Sequence, residues 1–138
     1  MTTTLALPAD SRSLLRSALW FDALSVAGLG ALLALLADLL EPWLGLDAGF
    51  LRTVGGLILL PFAAFLAWAA SRVPIPHAAV RWIVALNALY VLASFAILGF
   101  GWVQPSALGR AFVILQALIG GAVAVVEWMA LRREPATR

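Results

Sequence analysis

The chain has 138 residues, of which 64% are hydrophobic and 12% are charged, and its formal net charge is +2. Soluble domains are about 45–50% apolar and about 25% charged, so the composition excludes an ordinary soluble domain and indicates folding in a lipid bilayer. The small positive charge gives no reason to expect nucleic acid, because the arginines lie at the ends of apolar runs. The absence of cysteine excludes disulfides and cysteine-based metal sites.

Four apolar runs are each long enough for a helix to cross about 30 Å of hydrocarbon. They cover approximately residues 14–40, 51–71, 79–101 and 107–131. Proline and glycine mark the breaks "EPWLGLDAG", "VPIPH" and "GWVQPS". The first run is longer than the apolar region of a signal peptide and lacks a small-residue cleavage site, so we expect a true span. The sequence predicts an all-α membrane protein, a single transmembrane domain over residues 1–138 that folds as an antiparallel four-helix transmembrane bundle.

The basic residues predict the orientation of this bundle. All nine are arginines, and only Arg52 and Arg110 fall on the predicted outer side. The other seven are Arg12, Arg16, Arg72, Arg81, Arg132, Arg133 and Arg138. Because positively charged loops stay in the cytoplasm, both termini and the middle loop are expected there.

Two stretches suggest an internal repeat. "LWFDALSV" in the first run matches "VALNALYV" in the third, with Asn87 in the place of Asp22. Arg16 and Arg81 each stand six residues before these positions. The predicted units are residues 12–72 and 77–133. Each would be a helical hairpin that enters from the cytoplasm, so the repeats would be parallel, with helix 1 opposite helix 3 and helix 2 opposite helix 4.

Three polar residues lie at one predicted depth, just inside the cytoplasmic boundary: Asp22, Asn87 and Glu127. Tyr90 follows Asn87 on one face of the third helix, and Gln116 shares a face of the fourth with Glu127. A carboxylate at the centre of a transmembrane helix costs about 2.5–3.5 kcal/mol unless it faces the bundle and finds a partner.

Arg16, Arg81 and Arg132 are candidate partners for these acids, and the Asn87 amide can also donate. Three interpretations remain open. The layer could lock the helices in register, it could form a polar ligand or proton-responsive site, or the two acids could extend to water.

On the outer side, Arg52 and Arg110 begin the second and fourth helices at equivalent positions. Asp38, Glu41 and Asp47 lie close to the first of them in sequence. The pair could close the outer end by ion pairing, or it could bind an anionic headgroup or carboxylate.

Backbone-shaping residues also stand out within the spans. Pro61 is expected to kink the second helix, because it lacks an N–H and its ring crowds the preceding turn. Gly28 and Gly30 in the first helix, with Gly55 and Gly56 in the second, would allow close helix approach.

No catalytic triad, nucleotide-binding loop or metal motif can be assembled from the residues. His77 is the one histidine, and no second soft ligand stands at metal-binding spacing. The sequence therefore predicts no catalytic residues, no metal, no cofactor and no enzymatic activity.

The pattern "LWFDAL", "GLILLPFAAF", "LNALYVLAS" and "GWVQPSALGRAFVILQAL" resembles a group of small, mostly uncharacterised four-span integral membrane proteins from bacteria. The resemblance implies a location in the bacterial inner (plasma) membrane and transfers no activity.

Two functions follow as hypotheses. The first is a non-enzymatic accessory or scaffold subunit, or a homo-oligomer, that acts through helix contacts in the lipid bilayer with itself or a membrane-protein partner. The second is a small-molecule or lipid binder or transporter that uses the polar layer.

Overall fold

The computed structural model describes residues 7–133 and the side chains of residues 13–133. Arg138 and the side chain of Arg12, which contribute to the predicted orientation, lie outside the described residues. All the secondary structure of the described part is helical. The elements are α1 (Leu7–Leu35), α2 (Ala37–Leu44), α3 (Ala48–Arg52), a π-helical segment (Thr53–Leu59), α4 (Leu60–Ser71), α5 (His77–Gly99) and α6 (Ala107–Arg133).

Within residues 7–133, four helical stretches are long and apolar enough to cross a membrane, which confirms the predicted number of spans. They are Ser13–Leu35, Ala48–Ser71, His77–Gly99 and Ala107–Arg133, each with a mean hydropathy between 1.8 and 2.0. Such helices indicate a multi-pass membrane protein in a lipid bilayer, because their outward side chains are apolar.

The first span ends earlier than the hydropathy pattern predicts. Its helix stops at Leu35, because Leu36 adopts φ −110° and ψ 21° and breaks the helical path. The following segment forms α2, which contains the last residues of the predicted span and the first residues of the predicted break. Gly45 ends that helix with φ 66°, and its N–H donates to the Glu41 carbonyl at 2.8 Å. A glycine at this position accepts the left-handed conformation at little cost.

The second span is continuous from α3 through the π-helical segment to α4. Pro61 follows the wide turns directly, and the Leu60 N–H bonds to the Gly55 carbonyl, five residues back. Proline cannot donate to the carbonyl four residues before it, so a wider turn is one way to accommodate it within a helix. The irregularity expected at Pro61 therefore takes the form of a π-helical segment.

The helices pack unevenly around the domain. α1 packs closely against the second span and against α6, and α5 packs closely against α6. By contrast, α4 and α5 contact each other only sparsely. The backbones of α1 and α5 do not approach closely, although side chains connect them. One of the four seams between neighbouring helices is therefore open.

Two glycines allow a close helix crossing. A Cβ atom on Gly55 would lie 2.5 Å from the Gly30 carbonyl oxygen, so α1 and the π-helical segment meet backbone to backbone. This confirms the predicted role of one glycine in each helix. Gly28 has open space around its missing side chain, and a Cβ on Gly56 would make an ordinary contact at 3.8 Å.

The segments before α3 and before α6 are also joined, which the sequence did not predict. The backbone N–H of Ser106 donates to the Leu44 carbonyl at 2.9 Å, and its hydroxyl donates to the Trp43 carbonyl at 2.6 Å. A Cβ on Gly109 would lie 2.0 Å from the Leu44 oxygen, so only glycine fits there. These contacts attach the start of α6 to the end of α2.

The buried apolar core is divided into two clusters. One contains Leu15, Leu19, Ala23, Leu66, Ala69, Ala70, Ile75, Ala79, Val80, Ile83, Ala130 and Leu131. The other contains Leu33, Ala37, Leu44, Leu46, Ala48, Leu51 and Leu59. Buried polar side chains and an open space form the candidate site.

Candidate functional site: a cleft between helices

A cavity of about 890 Å³ lies within the helical domain. Leu57 of the second span and Leu89 of α5 line it and are 74% and 62% exposed, so it opens at the sparse seam between α4 and α5. We refer to this cavity as the cleft. It is lined by Phe21, Asp22, Ser25, Val26, Leu29, Leu57, Ile58, Leu59, Pro61, Phe62, Phe65, Leu86, Asn87, Leu89, Tyr90, Ala93, Gln116, Ile119, Gly120 and Val123. Most of these side chains are apolar, and the exposed ones lie on helices that can span a membrane.

The structure brings the three residues of the predicted polar layer together at the cleft. Asn87 Nδ2 donates to Asp22 Oδ2 at 2.9 Å, which links α5 to α1. Asp22 is 3% exposed and Asn87 is 5% exposed, yet both line the cleft. The hydrogen bond therefore lies where the interior of the protein meets the cavity.

As seen from the cleft, Glu127 lies behind Asp22 and Asn87, and it is completely buried. Its carboxyl group faces that of Asp22 and is close to the Asn87 amide. Within the described part, neither Glu127 oxygen accepts a hydrogen bond. Two carboxyl groups thus share one enclosed site with a single neutral amide. We call the two acids, Asp22 and Glu127, the acid pair.

A second polar group lies farther along the cleft. Tyr90 is placed beside the Gln116 amide, and both line the cavity. Gln116 Nε2 donates to the Val113 carbonyl at 3.1 Å and lies 3.5 Å from the Ser94 hydroxyl, which donates to the Tyr90 carbonyl at 2.8 Å. These side chains can offer donors and acceptors to a bound molecule.

Arg16 does not meet the acids, contrary to its role as a candidate partner. Its guanidinium donates to the Ala70 carbonyl at 2.8 Å and to the Arg72 carbonyl at 3.2 Å. The last carbonyls of a helix lack partners within that helix and carry partial negative charge, so they attract a cation. Arg16 therefore attaches α1 to the end of α4.

The other two candidate arginines also have different surroundings. Arg132 lies over the Trp128 ring at 5.9 Å from its centroid, and Arg81 is exposed at the side of α5. The side chains that interact with Asp22 are those of Glu127 and Asn87, and neither is an arginine. Among the described residues, the side chain that donates to Asp22 is the Asn87 amide and not a cation.

At the predicted outer side, Arg52 forms an ion pair with Asp38. The two other acids of that region both cap the start of α3, since Asp47 accepts from the Phe50 N–H at 3.0 Å and Glu41 accepts from the Ala48 N–H at 3.3 Å. Arg110 is exposed in the first turn of α6. A joint anion site of Arg52 and Arg110 stays a prediction.

The described residues contain no group of three or more histidine or acidic side chains that could hold a metal ion. His77 is the first residue of α5 and takes part in an interaction there.

Comparison of the chain with models of known protein families, with curated proteins and with solved structures finds no match.

Sequence reasoning missed the cleft and its aromatic wall. Phe62 and Phe65 stand three residues apart on α4 and line the cavity with Phe21. The spacing could have indicated a shared helix face, but apolar residues surround these positions in the sequence. Only the distance between α4 and α5 shows that this face borders an open space.

Proposed function

We propose that this protein binds an amphipathic small molecule or lipid from the surrounding membrane in the cleft. The observation that carries the proposal is the cleft itself, an apolar cavity of about 890 Å³ with hydrogen-bonding side chains at its inner wall. Ligand sites are typically mostly apolar cavities of roughly 300–1,000 Å³ with a few convergent polar groups. The size and the lining both fit that description.

The arrangement of polar and apolar residues favours an amphipathic ligand. Leu57, Ile58 and Leu89 are exposed at the opening, where they would contact an acyl chain or another apolar group. Asp22 and Asn87 lie at the inner wall, where they would hydrogen-bond a polar group. A molecule dissolved in the bilayer could enter through the seam between α4 and α5 without crossing water.

The proposal includes the architecture expected from the sequence. The two helical hairpins, residues 12–72 and 77–133, would be tandem parallel repeats within an antiparallel bundle in a bacterial inner membrane. The arginine distribution supports cytoplasmic termini, and with that orientation the Asp22 layer would lie near the cytoplasmic surface. The hydrogen bond between Asp22 and Asn87, which are equivalent positions of the two units, also supports the repeat.

The test is native mass spectrometry of the full chain, extracted gently from its own membranes, with a variant that fills the cleft. Gly120 lines the cleft and has open space where a side chain would begin, so Gly120→Phe would place a ring in the cavity. We expect a reproducible bound mass on the parent protein and its loss from the variant.

Gly28→Phe is the matched control. Gly28 also has open space around its missing side chain, but it does not line the cleft. It should retain the bound mass. A parent protein that carries no small molecule, or equal binding in both variants, would contradict the proposal.

The second candidate is a non-enzymatic accessory or scaffold subunit, or a homo-oligomer. The open seam between α4 and α5 favours it, because a helix from a second chain could also cover exposed Leu57 and Leu89. The same spectra separate the two candidates. A defined oligomer or protein complex that Gly120→Phe disrupts, without any small bound mass, would favour helix contacts over ligand binding.

A further inference from the structure

The acid pair lacks a cation. Asp22 and Glu127 are 3% and 0% exposed, their carboxyl groups face each other, and neither Glu127 oxygen accepts a hydrogen bond within the described part. Two ionised carboxylates in such a place would repel each other without water to screen them. The pair is therefore tolerable only with a positive charge beside it, either a proton or a cationic group.

The protein itself does not provide that cation from the elements around the pair. Asn87, which faces the pair from α5, is neutral, and Phe62 and Phe65 of α4 are apolar. Arg16, on α1 with Asp22, is engaged with the carbonyls at the end of α4. These neighbours therefore leave the acid pair without a positive charge.

The cleft offers a route for a cation from outside the protein. Asp22 lines the cavity, whereas Glu127 is enclosed behind it, so an entering group would meet the Asp22 carboxyl first. Phe21, Phe62 and Phe65 line the same cavity. The faces of aromatic rings attract cations and do not attract anions.

From these observations we propose that the cleft is selective for cationic amphiphiles, whose positive group binds at the Asp22–Glu127 pair in exchange for a proton. This inference rests on the proposed function and specifies its ligand class. In the empty cleft, one proton shared by the two carboxyl groups leaves the pair with a single negative charge. When the cation binds, that proton is released to solvent, and charge is conserved between the two states.

The test compares two probe ions of nearly the same shape and opposite charge, tetraphenylphosphonium and tetraphenylborate. Binding of each is measured by calorimetric titration of the full chain in phosphatidylcholine nanodiscs, with empty nanodiscs subtracted. We expect the phosphonium to bind and the borate to bind at least about tenfold more weakly, since the borate would meet the acid pair with a like charge.

Titration in two buffers of different ionisation enthalpy measures the protons exchanged. We expect release of about one proton for each phosphonium bound, because the cation takes over the role of the shared proton. This measurement uses the parent protein and so does not depend on whether any variant folds.

Two variants locate the site. Asp22→Asn and Glu127→Gln should each weaken phosphonium binding by about tenfold or more and abolish proton release. Each variant leaves a single carboxyl group, which has no second negative charge beside it and therefore shares no proton that the cation could replace. Asp38→Asn, at an exposed acid outside the cleft, should bind like the parent.

Equal affinity for the two ions, or phosphonium binding without proton release, would overturn the inference. If native membranes still yield a bound mass that Gly120→Phe removes, ligand binding in the cleft stands and only the charge selectivity fails. If neither ion binds and no native mass is found, both proposals fail.

Discussion

At the residue scale, the contact between Asp22 and Asn87 answers why an apolar helix contains an acid. The Asn87 amide donates to Asp22 at 2.9 Å, and both side chains are buried. Interhelical hydrogen bonds in membranes contribute about 0.6 kcal/mol on average, with a maximum near 1.7 kcal/mol. An acceptor that keeps no donor costs more, about 1–3 kcal/mol, because nothing replaces the lost bond.

Asn87→Leu should therefore lower the free energy of unfolding by about 1–2 kcal/mol, above the average for such a bond, since Asp22 loses its donor. Reversible unfolding in mixed micelles of dodecylmaltoside and dodecyl sulfate measures the difference. Ser25→Ala removes a hydroxyl from the same cleft wall and should change the stability by less than about 0.5 kcal/mol. An Asn87→Leu variant as stable as the parent would show that Asp22 does not depend on the amide.

At the element scale, the second span shows how a helix adapts to two local demands. Pro61 prevents a regular hydrogen bond to the preceding turn, and the π-helical segment Thr53–Leu59 ends two residues before it. In the same segment, Gly55 brings the backbone against Gly30 of α1. The wide turns and the close crossing thus lie together in one short part of the helix.

The paired glycines of this segment allow a matched comparison. Gly55→Ala would place a methyl group 2.5 Å from the Gly30 carbonyl oxygen, so α1 must shift, and we expect a loss of about 1–3 kcal/mol in the free energy of unfolding. Gly56→Ala makes its nearest contact at 3.8 Å and should be neutral or slightly stabilising. The same micelle unfolding assay compares the two. Equal stabilities would contradict the close crossing.

At the scale of the whole molecule, the packing of the helices is asymmetric. If the two hairpins were related by perfect symmetry, the seam between α4 and α5 would match the seam between α1 and α6. The first is sparse and the second is close. The difference leaves the cleft open on one side.

The proposed orientation can be tested because the chain has no cysteine. Val73→Cys and Gln104→Cys would each place a single thiol in an exposed linker, before α5 and before α6 respectively. With cytoplasmic termini, a membrane-impermeant maleimide should label Gln104→Cys in spheroplasts and should label Val73→Cys only after permeabilisation. The opposite pattern would reverse the assigned sidedness and place the Asp22 layer near the outer surface.

Hydropathy and arginine placement were sufficient to predict four spans and the residues of the polar layer, because burial in lipid imposes long apolar helices with few polar interruptions. Side-chain periodicity also placed Asn87 with Tyr90, and Gln116 with Glu127, on shared faces. The role of Arg16 at the end of α4 needed the folded chain, since it depends on carbonyl groups distant in sequence. The cleft depends on the distance between α4 and α5, which only the tertiary structure shows. The sequence could not predict it, because the same apolar residue types face lipid, a neighbouring helix or a cavity.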